Sequence, residues 1–503
     1  PLSSGDAIVS FLNFKSLIVP ALALLPVASG ALGAPITGDN WPIDPDHPLA
    51  IADRGGEETQ AKWMPLADGG FYVSWFDNTD GGYDLRLQRL DGDGNEMWGH
   101  GGILVVDRTY NSTTDYGLSI DTAGNALLSL QCCTQNAADE RIVVFKVDGT
   151  GAQVWGSTGI AVSTVGEGEL LSFVTGTTDG NVAVAWMNSN AALRAQKLDA
   201  TGAPLWGSTG ITLPGPATGF KFLADIKPGL NGDAIVDWSN QAGSTRILRA
   251  QKLASADGAV LWGNDGIQVS DTGNLQAGYF PKIIVDGQGG AVFAYYDAVG
   301  SARMIRVQHL DASGNRLLGN DGALATTEGT RLHVIPSASF DASSGITSVA
   351  WVDNITLSGG QTFDGLYAQR IDSTGARLFV DSGLEIVPMS ESTDGVKALS
   401  QVVTLPAPDG FLVGWVTGSP AAQSNLISVM RIDGAANFVW NQPVFLKTSA
   451  TKTSRLSGET SELGYAAFVW SDAPTNDNTG KDVLARNLQY NGEFGDILFR
   501  DGF

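Results

Sequence analysis

The sequence predicts an all-β protein, an eight-bladed β-propeller of four-stranded antiparallel blades closed by an N-terminal strand. Three observations predict it. One strand pattern recurs eight times between about residues 57 and 503. Glycine is abundant, at 63 of 503 residues, while charged residues make up only 17%, a balance that suits short strands and tight turns. Beyond about residue 40, no stretch places apolar residues at i, i+3, i+4 and i+7, the stripe of an amphipathic helix.

At the start of the chain, Lys15 precedes a short apolar run, Ser16 to Leu25, followed by small residues. Ala31-Leu32-Gly33 or Leu32-Gly33-Ala34 would serve as a cleavage site, so residues 1–34 read as an export signal. Pro20, Pro26 and Gly30 disfavour a membrane-spanning helix in this run, with a retained anchor as the alternative. Residues 35–495 then form one propeller domain, and residues 496–503 a short tail.

Within the repeat, strand a is a variable segment ending at a DG-type turn such as Asp68-Gly69-Gly70, Asp179-Gly180-Asn181 or Asp286-Gly287-Gln288. Asp-Gly turns supply the positive φ of a tight hairpin. Strand b is the clearest column, from Phe71–Trp75 through Val182–Trp186 and Ala234–Trp238 to Ala466–Trp470. From Trp75 to Trp470 there are seven intervals of about 56 residues, within the range of propeller blades. Strand c carries Gln88-Arg89-Leu90-Asp91 and its counterparts at Gln196, Gln251, Gln308 and Gln369. Strand d follows a third column of Trp98, Trp155, Trp206, Trp262 and Trp440, with Leu318 and Phe379 in two units. Large rings recurring at strand positions fill the space between stacked sheets. Among the tryptophans, Trp41 and Trp63 stand outside both columns.

Closure follows from one displaced piece. Leu49–Asp53 resembles the d strands around Ile160 and Ile267, yet it precedes the first strand a. The last unit, from about Ser454 to Tyr490, has a degraded strand d. The N-terminal segment is therefore expected to complete the last blade. A seven-bladed ring and a two-domain chain are the alternatives.

The turn Leu90-Asp91-Gly92-Asp93-Gly94-Asn95-Glu96-Met97-Trp98 resembles the Asp-box of sialidase-type propellers, without its leading Ser. In that family the box is structural, so the resemblance implies no activity. The turn is also similar to the tryptophan motif of quinoprotein alcohol dehydrogenases, with a different Asp-to-Trp spacing. Taken whole, residues 45–490 resemble the secreted bacterial repeat proteins built from LQRLDxxGxxxWGxxGIxV units, and Gly495–Phe503 resembles the IFxDGF tail of exported gammaproteobacterial proteins. These resemblances imply a secreted or envelope location.

A net charge of −23 and the absence of a basic run exclude nucleic acid and anionic membrane surfaces as partners. Four scattered histidines and two adjacent cysteines offer no zinc or iron site. Cys132 and Cys133 form either a vicinal disulfide or two thiols.

The b–c loops vary most between units, and propeller ligands meet the face that carries them. Asp77, Asp80 and Asp84 in the first unit and Asp472, Asp477 and Asp482 in the eighth are expected to share an acidic sector at the seam. That sector is a candidate Ca²⁺ site, since Ca²⁺ takes six to eight oxygen ligands; a solvated acidic loop is the alternative. Asp91, Asp93 and Asn95 are a second candidate, with turn capping as the alternative. Candidates for the funnel wall are Glu57, Glu58, Lys62, Glu167, Glu169, Lys282, His333 and Arg455, none of them in a diagnostic catalytic motif. The sequence thus points to a monomeric, non-enzymatic binding or scaffold protein for a glycan, peptide or surface partner. A propeller-fold hydrolase or lyase acting on polysaccharide is the alternative.

Overall fold

The computed structural model describes residues 41–495 apart from 135–139, 165–167, 191, 217, 272–273, 277, 300–301, 393–398, 419–424, 450 and 474–479. The expected export signal and the C-terminal tail lie outside the described residues, as do Asp477 and Glu167. Among the described residues there is no α-helix, and so no helix long and apolar enough to cross a membrane.

The strands form six four-stranded antiparallel sheets and one eight-stranded sheet. The eight-stranded sheet consists of two four-strand sets joined through a single parallel pair, Arg303 and Leu332. Each set follows chain order, and the first shows the pattern: Glu58–Pro65, Phe71–Asp77, Asp84–Leu90 and Ile103–Val106. In the last set, Lys452–Thr460, Tyr465–Ala473 and Asp482–Gln489 are completed by Leu49–Ala52, which pairs antiparallel with Asp482–Gln489. The expected exchange of an N-terminal strand into the last set is present.

The repeated residues each satisfy backbone groups that the turns would leave unpaired. Gln88 Nε2 donates to the Gly99 carbonyl at 3.0 Å, and its Oε1 accepts from Arg89 N–H at 3.0 Å. Gln196, Gln251, Gln308 and Gln369 repeat this clamp on the last hairpin of their own sets. Asp148, Asp199, Asp311, Asp372 and Asp433 each accept two backbone N–H bonds within their turns, at 2.8–3.0 Å.

The third-column tryptophans reach across to the next set. Trp155, Trp206, Trp262 and Trp440 donate their indole N–H to the carbonyls of Ala200, Ser255, Ala312 and Tyr490, at 3.1–3.2 Å. Trp41 does the same to Gly92 at 3.1 Å, carrying the latch from the last set to the first. A side chain at Gly94, Gly202, Gly258 or Gly314 would collide with the incoming ring or its neighbour, and all four have positive φ. Glycine is required there twice over.

The innermost strands touch one another in sequence. Glu58–Pro65 meets Gly117–Ile120, then Glu169–Gly176, Phe220–Pro228, Ile284–Val285, Leu332–Asp341, Leu399–Ala407 and Lys452–Thr460, which meets Glu58–Pro65 again. The core lies between sheets, where Trp75, Trp186, Trp238, Trp351 and Trp470 are fully buried.

Candidate functional site

The innermost strands enclose a cavity of about 550 Å³. Four of them carry a bulge next to a non-glycine residue at positive φ: Gln60 (58°), Ile335 (55°), Gln401 (52°) and Arg455 (57°). A bulge inserts an extra residue and re-aims the side chains around it. All four residues line the cavity. Left-handed backbone at non-glycine residues costs energy and tends to collect where a site is built.

Six charged side chains lie on the wall: Glu57, Lys62, Asp115, Lys282, Arg455 and Lys481. Lys62 Nζ stands 2.5 Å from Asp115 Oδ1, and Lys481 pairs with Glu57. Burial pulls the Lys62 ammonium below its ordinary pKa, against the pull of Asp115. Burial pushes Asp115 up, but Lys62, Lys282 and Arg455 together hold it below the usual carboxylate range. Lys282 and Lys62 both approach the Phe173 ring, their ammoniums 4.0 and 5.3 Å from its centroid. Among the described residues, neither Lys282 nor Arg455 has a carboxylate within ion-pair distance. The rest of the wall mixes Trp63, Tyr279 and Phe280 with the amides of Gln60 and Gln401 and the hydroxyls of Thr59, Thr113, Ser400 and Ser457.

Of the expected wall residues, Glu57, Lys62, Lys282 and Arg455 are in place, while Glu58, Glu169 and His333 are buried and do not line the cavity. The bulges cause this difference, because inserting a residue changes which side chains face inward. His333 Nδ1 is 2.5 Å from Asp353 Oδ1, and its Nε2 donates to the Glu328 carbonyl at 2.7 Å. Asp353 also accepts from Trp351 Nε1 at 2.6 Å and Arg331 Nη1 at 3.1 Å. Burial disfavours the charged imidazole, but Asp353 and the Glu328 carbonyl hold its pKa above the ordinary value. The Glu328, His333 and Asp353 group has the proximity of a metal site, yet both ring nitrogens are already engaged. Asp115, Gln60 and Gln401 were not anticipated; their signal is position, on or beside the inner strands rather than in a motif.

At the seam, the structure brings the acidic loops together and supplies most of them with partners. Asp77 receives Arg54 at 2.5 Å and Arg86 at 3.0 Å, Asp80 receives Arg54 at 2.9 Å, and Asp472 receives Lys447 at 2.5 Å. Asp84 accepts the Arg108 backbone N–H at 2.8 Å. Glu58 and Asp482 have no cation of their own among the described residues. Glu58 is pushed up to about 7 by burial and then by Asp77 and Asp482, and its Oε2 is buried without a hydrogen-bond partner. Asp482 is pushed up to about 6 by burial, then by Asp53 and Asp472. Asp91 accepts from the backbone of Asp93 at 3.0 Å and of Asn95 at 2.9 Å, the same capping that the other units use. Cys132 and Cys133 are bridged to each other beside a second cavity, lined also by Val106, Arg141 and Gln153.

No family model matches the sequence, and no curated protein matches it. Among solved structures, the chain is similar to a PL25 ulvan lyase described as a new family of polysaccharide lyase, at 11% identity over 88% of this chain and 93% of that one, with a TM-score of 0.44. It is similar to the polysaccharide lyase Uly1 at 12% identity over 90% and 93%, with a TM-score of 0.42. An α-L-arabinofuranosidase from Fusarium graminearum matches at 10% identity over 87% and 96%, with a TM-score of 0.38. A eukaryotic initiation factor matches at 10% identity over 80% and 93%, with a TM-score of 0.37. Likeness at this level distinguishes no function.

Proposed function

We propose that the chain is an exported eight-bladed β-propeller that binds an extracellular glycan in the cavity on its axis. The count of eight is supported by the eight inner strands that meet in a cycle and by the Trp41 latch between the last set and the first. The observation that carries the functional reading is the convergence of the least repetitive residues. Where the scaffold repeats Gln, Asp and Trp, the axis instead presents Gln60, Lys62, Lys282, Gln401 and Arg455 on one wall. Amides, hydroxyls and aromatic faces around a concave space are the groups that grip a sugar ring, through hydrogen bonds to its hydroxyls and packing against its C–H face. A peptide or surface partner would instead engage the broad loop face.

Binding is preferred to hydrolysis because the two acids on the wall, Glu57 and Asp115, each sit in an ion pair with a lysine. A glycosidase needs one carboxyl kept protonated near neutral pH. Turnover of polysaccharide is the second reading, favoured by the buried Lys62 and Asp115 pair, which places a proton-transfer couple on the wall. The solved lyases named above carry that activity in their own right; the reading here rests on the wall's residues.

A glycan array probed with the purified chain tests the proposal, with Phe280→Ala as the control. Specific binding that Phe280→Ala weakens, at an unchanged melting temperature, supports it. Binding that is indifferent to Phe280 and to other wall substitutions contradicts it. Release of new reducing ends or unsaturated sugars from the bound glycan selects the second reading.

A further inference from the structure

The whole chain carries a net charge of −23, yet the axial cavity has the opposite sign. Its wall holds Lys62, Lys282, Arg455 and Lys481 against Glu57 and Asp115, an excess of positive charge. The pairing sharpens this. Asp115 is committed to Lys62 and Glu57 to Lys481, leaving Lys282 and Arg455 without a carboxylate partner among the described residues. Two further acids, Asp225 and Asp237, lie within electrostatic reach of the wall lysines. Asp225 has its own lysine, Lys227, at 3.3 Å. Asp237, beside it across the strand pair, is completely buried, and burial followed by Asp225 raises its pKa well above the ordinary carboxylate value.

Two further features show that the charge is placed there at a cost. Lys62 and Lys282 bring their ammoniums to the same Phe173 ring, where Lys282 makes Lys62 harder to keep charged. Arg455 occupies the left-handed bulge position, with φ 57°, which Ile335 and Gln401 fill in other units. Like charges converging in a partly desolvated space are unfavourable until an anion arrives between them.

Building on the proposed glycan site, we infer that its ligand is an acidic saccharide, whose carboxylate or sulfate group is received by Arg455 and Lys282. A planar guanidinium offers paired N–H donors to either oxyanion, and the ammonium adds a point charge. Lys62 is held by Asp115 and contributes field rather than direct contact. Lys282 donates to the Ala224 carbonyl, but neither cation has an anion partner among the described residues, so neutral saccharides would bind less well.

Calorimetric titration with four oligosaccharides of one backbone tests this: neutral, uronate-bearing, the methyl ester of the uronate, and sulfated. The uronate or the sulfated form is expected to bind about tenfold or more tightly than the ester, the worth of one charge-assisted contact. Which of the two binds better identifies the oxyanion. Arg455→Gln and Lys282→Gln are each expected to cost a similar factor for the acidic ligand and little for the ester, with Arg455→Lys recovering part of the loss. Binding of the uronate and of the sulfated form no tighter than that of the ester and the neutral form would overturn the inference and leave the glycan site standing. Failure of every saccharide would overturn both. Should Arg455→Gln fail to fold, the comparison of the uronate and sulfated forms with the ester and the neutral form on the unaltered chain decides alone.

Discussion

The indole N–H of Trp41 donates to the carbonyl of Gly92, joining the first described residue of the chain to the first sheet at 3.1 Å. The bond repeats those of Trp155 to Ala200 and Trp262 to Ala312, so Trp41 serves as the missing third-column tryptophan of the last set. Trp41 is buried against Tyr465 and packs over Gly94. Trp41→Ala is expected to destabilise the chain by about 3–5 kcal/mol, the usual loss for a buried tryptophan. Denaturant unfolding measures it. A loss below about 1 kcal/mol would mean that the last set holds the ring without its latch.

Glu58 gives the seam a pH dependence of known sign. Its pKa rises from an ordinary 4.5 to about 7 in the folded protein. The folded state therefore binds this proton more tightly than the unfolded chain does. Stability falls as pH climbs from about 4.5 towards about 7 and is flat beyond. Asp482, raised from 3.8 to about 6, adds a penalty of the same sign. Glu58→Gln is expected to raise the melting temperature at pH 8 and leave it unchanged at pH 4. A lower melting temperature at pH 8 would show that the ionised carboxylate has a partner.

His333 adds to the same fall at higher pH. Its folded pKa is raised, so its contribution is complete below the unfolded value of about 6.5 and is lost as pH rises through the folded value. His333→Gln should cost about 3 kcal/mol at pH 6, the usual result of breaking a buried charged pair, and less at pH 9. Nuclear magnetic resonance titration of the imidazole checks the direction; a pKa below 6.5 would contradict it.

Asp237 is the acid with least reason to be where it is. Neither carboxylate oxygen finds a partner at hydrogen-bonding geometry, and Ser74, Ser129, Ala294 and Gly414 hold the equivalent place on other strands. Asp237→Ser is expected to stabilise by about 1–2 kcal/mol, the desolvation cost removed. Destabilisation in urea unfolding would refute this.

The seam carboxylates divide between those with cations of their own and those without. Because Arg54, Arg86 and Lys447 already serve Asp77, Asp80 and Asp472, removing Ca²⁺ with EDTA is expected to leave the melting temperature unchanged. A drop of several degrees, reversed by added Ca²⁺, would show that a metal displaces those ion pairs.

Much of the scaffold was legible because each repeated residue does one local job. Gln88 and its counterparts clamp a hairpin, and Asp148 and its counterparts cap a turn. The inner strands carry no such signature, and their bulges reset the alternation that decides which side chains face the axis. Glu57 was therefore correctly placed on the wall, while its neighbour Glu58 was not. Trp41 was unreadable for another reason. Its partners, Tyr465 and Gly92, lie on different sheets, one of them more than 400 residues away in the chain. Asp115 gave no signal because its role depends on Lys62, a residue of the preceding set.

The most direct test of the axial site is a crystal structure of the chain soaked with a uronate-bearing oligosaccharide. Density for the sugar on the axis, with its carboxylate at Arg455 and Lys282 and its ring against Phe280, is the predicted result. An empty axis, with the sugar bound on the outer loops or nowhere on the molecule, would contradict the account.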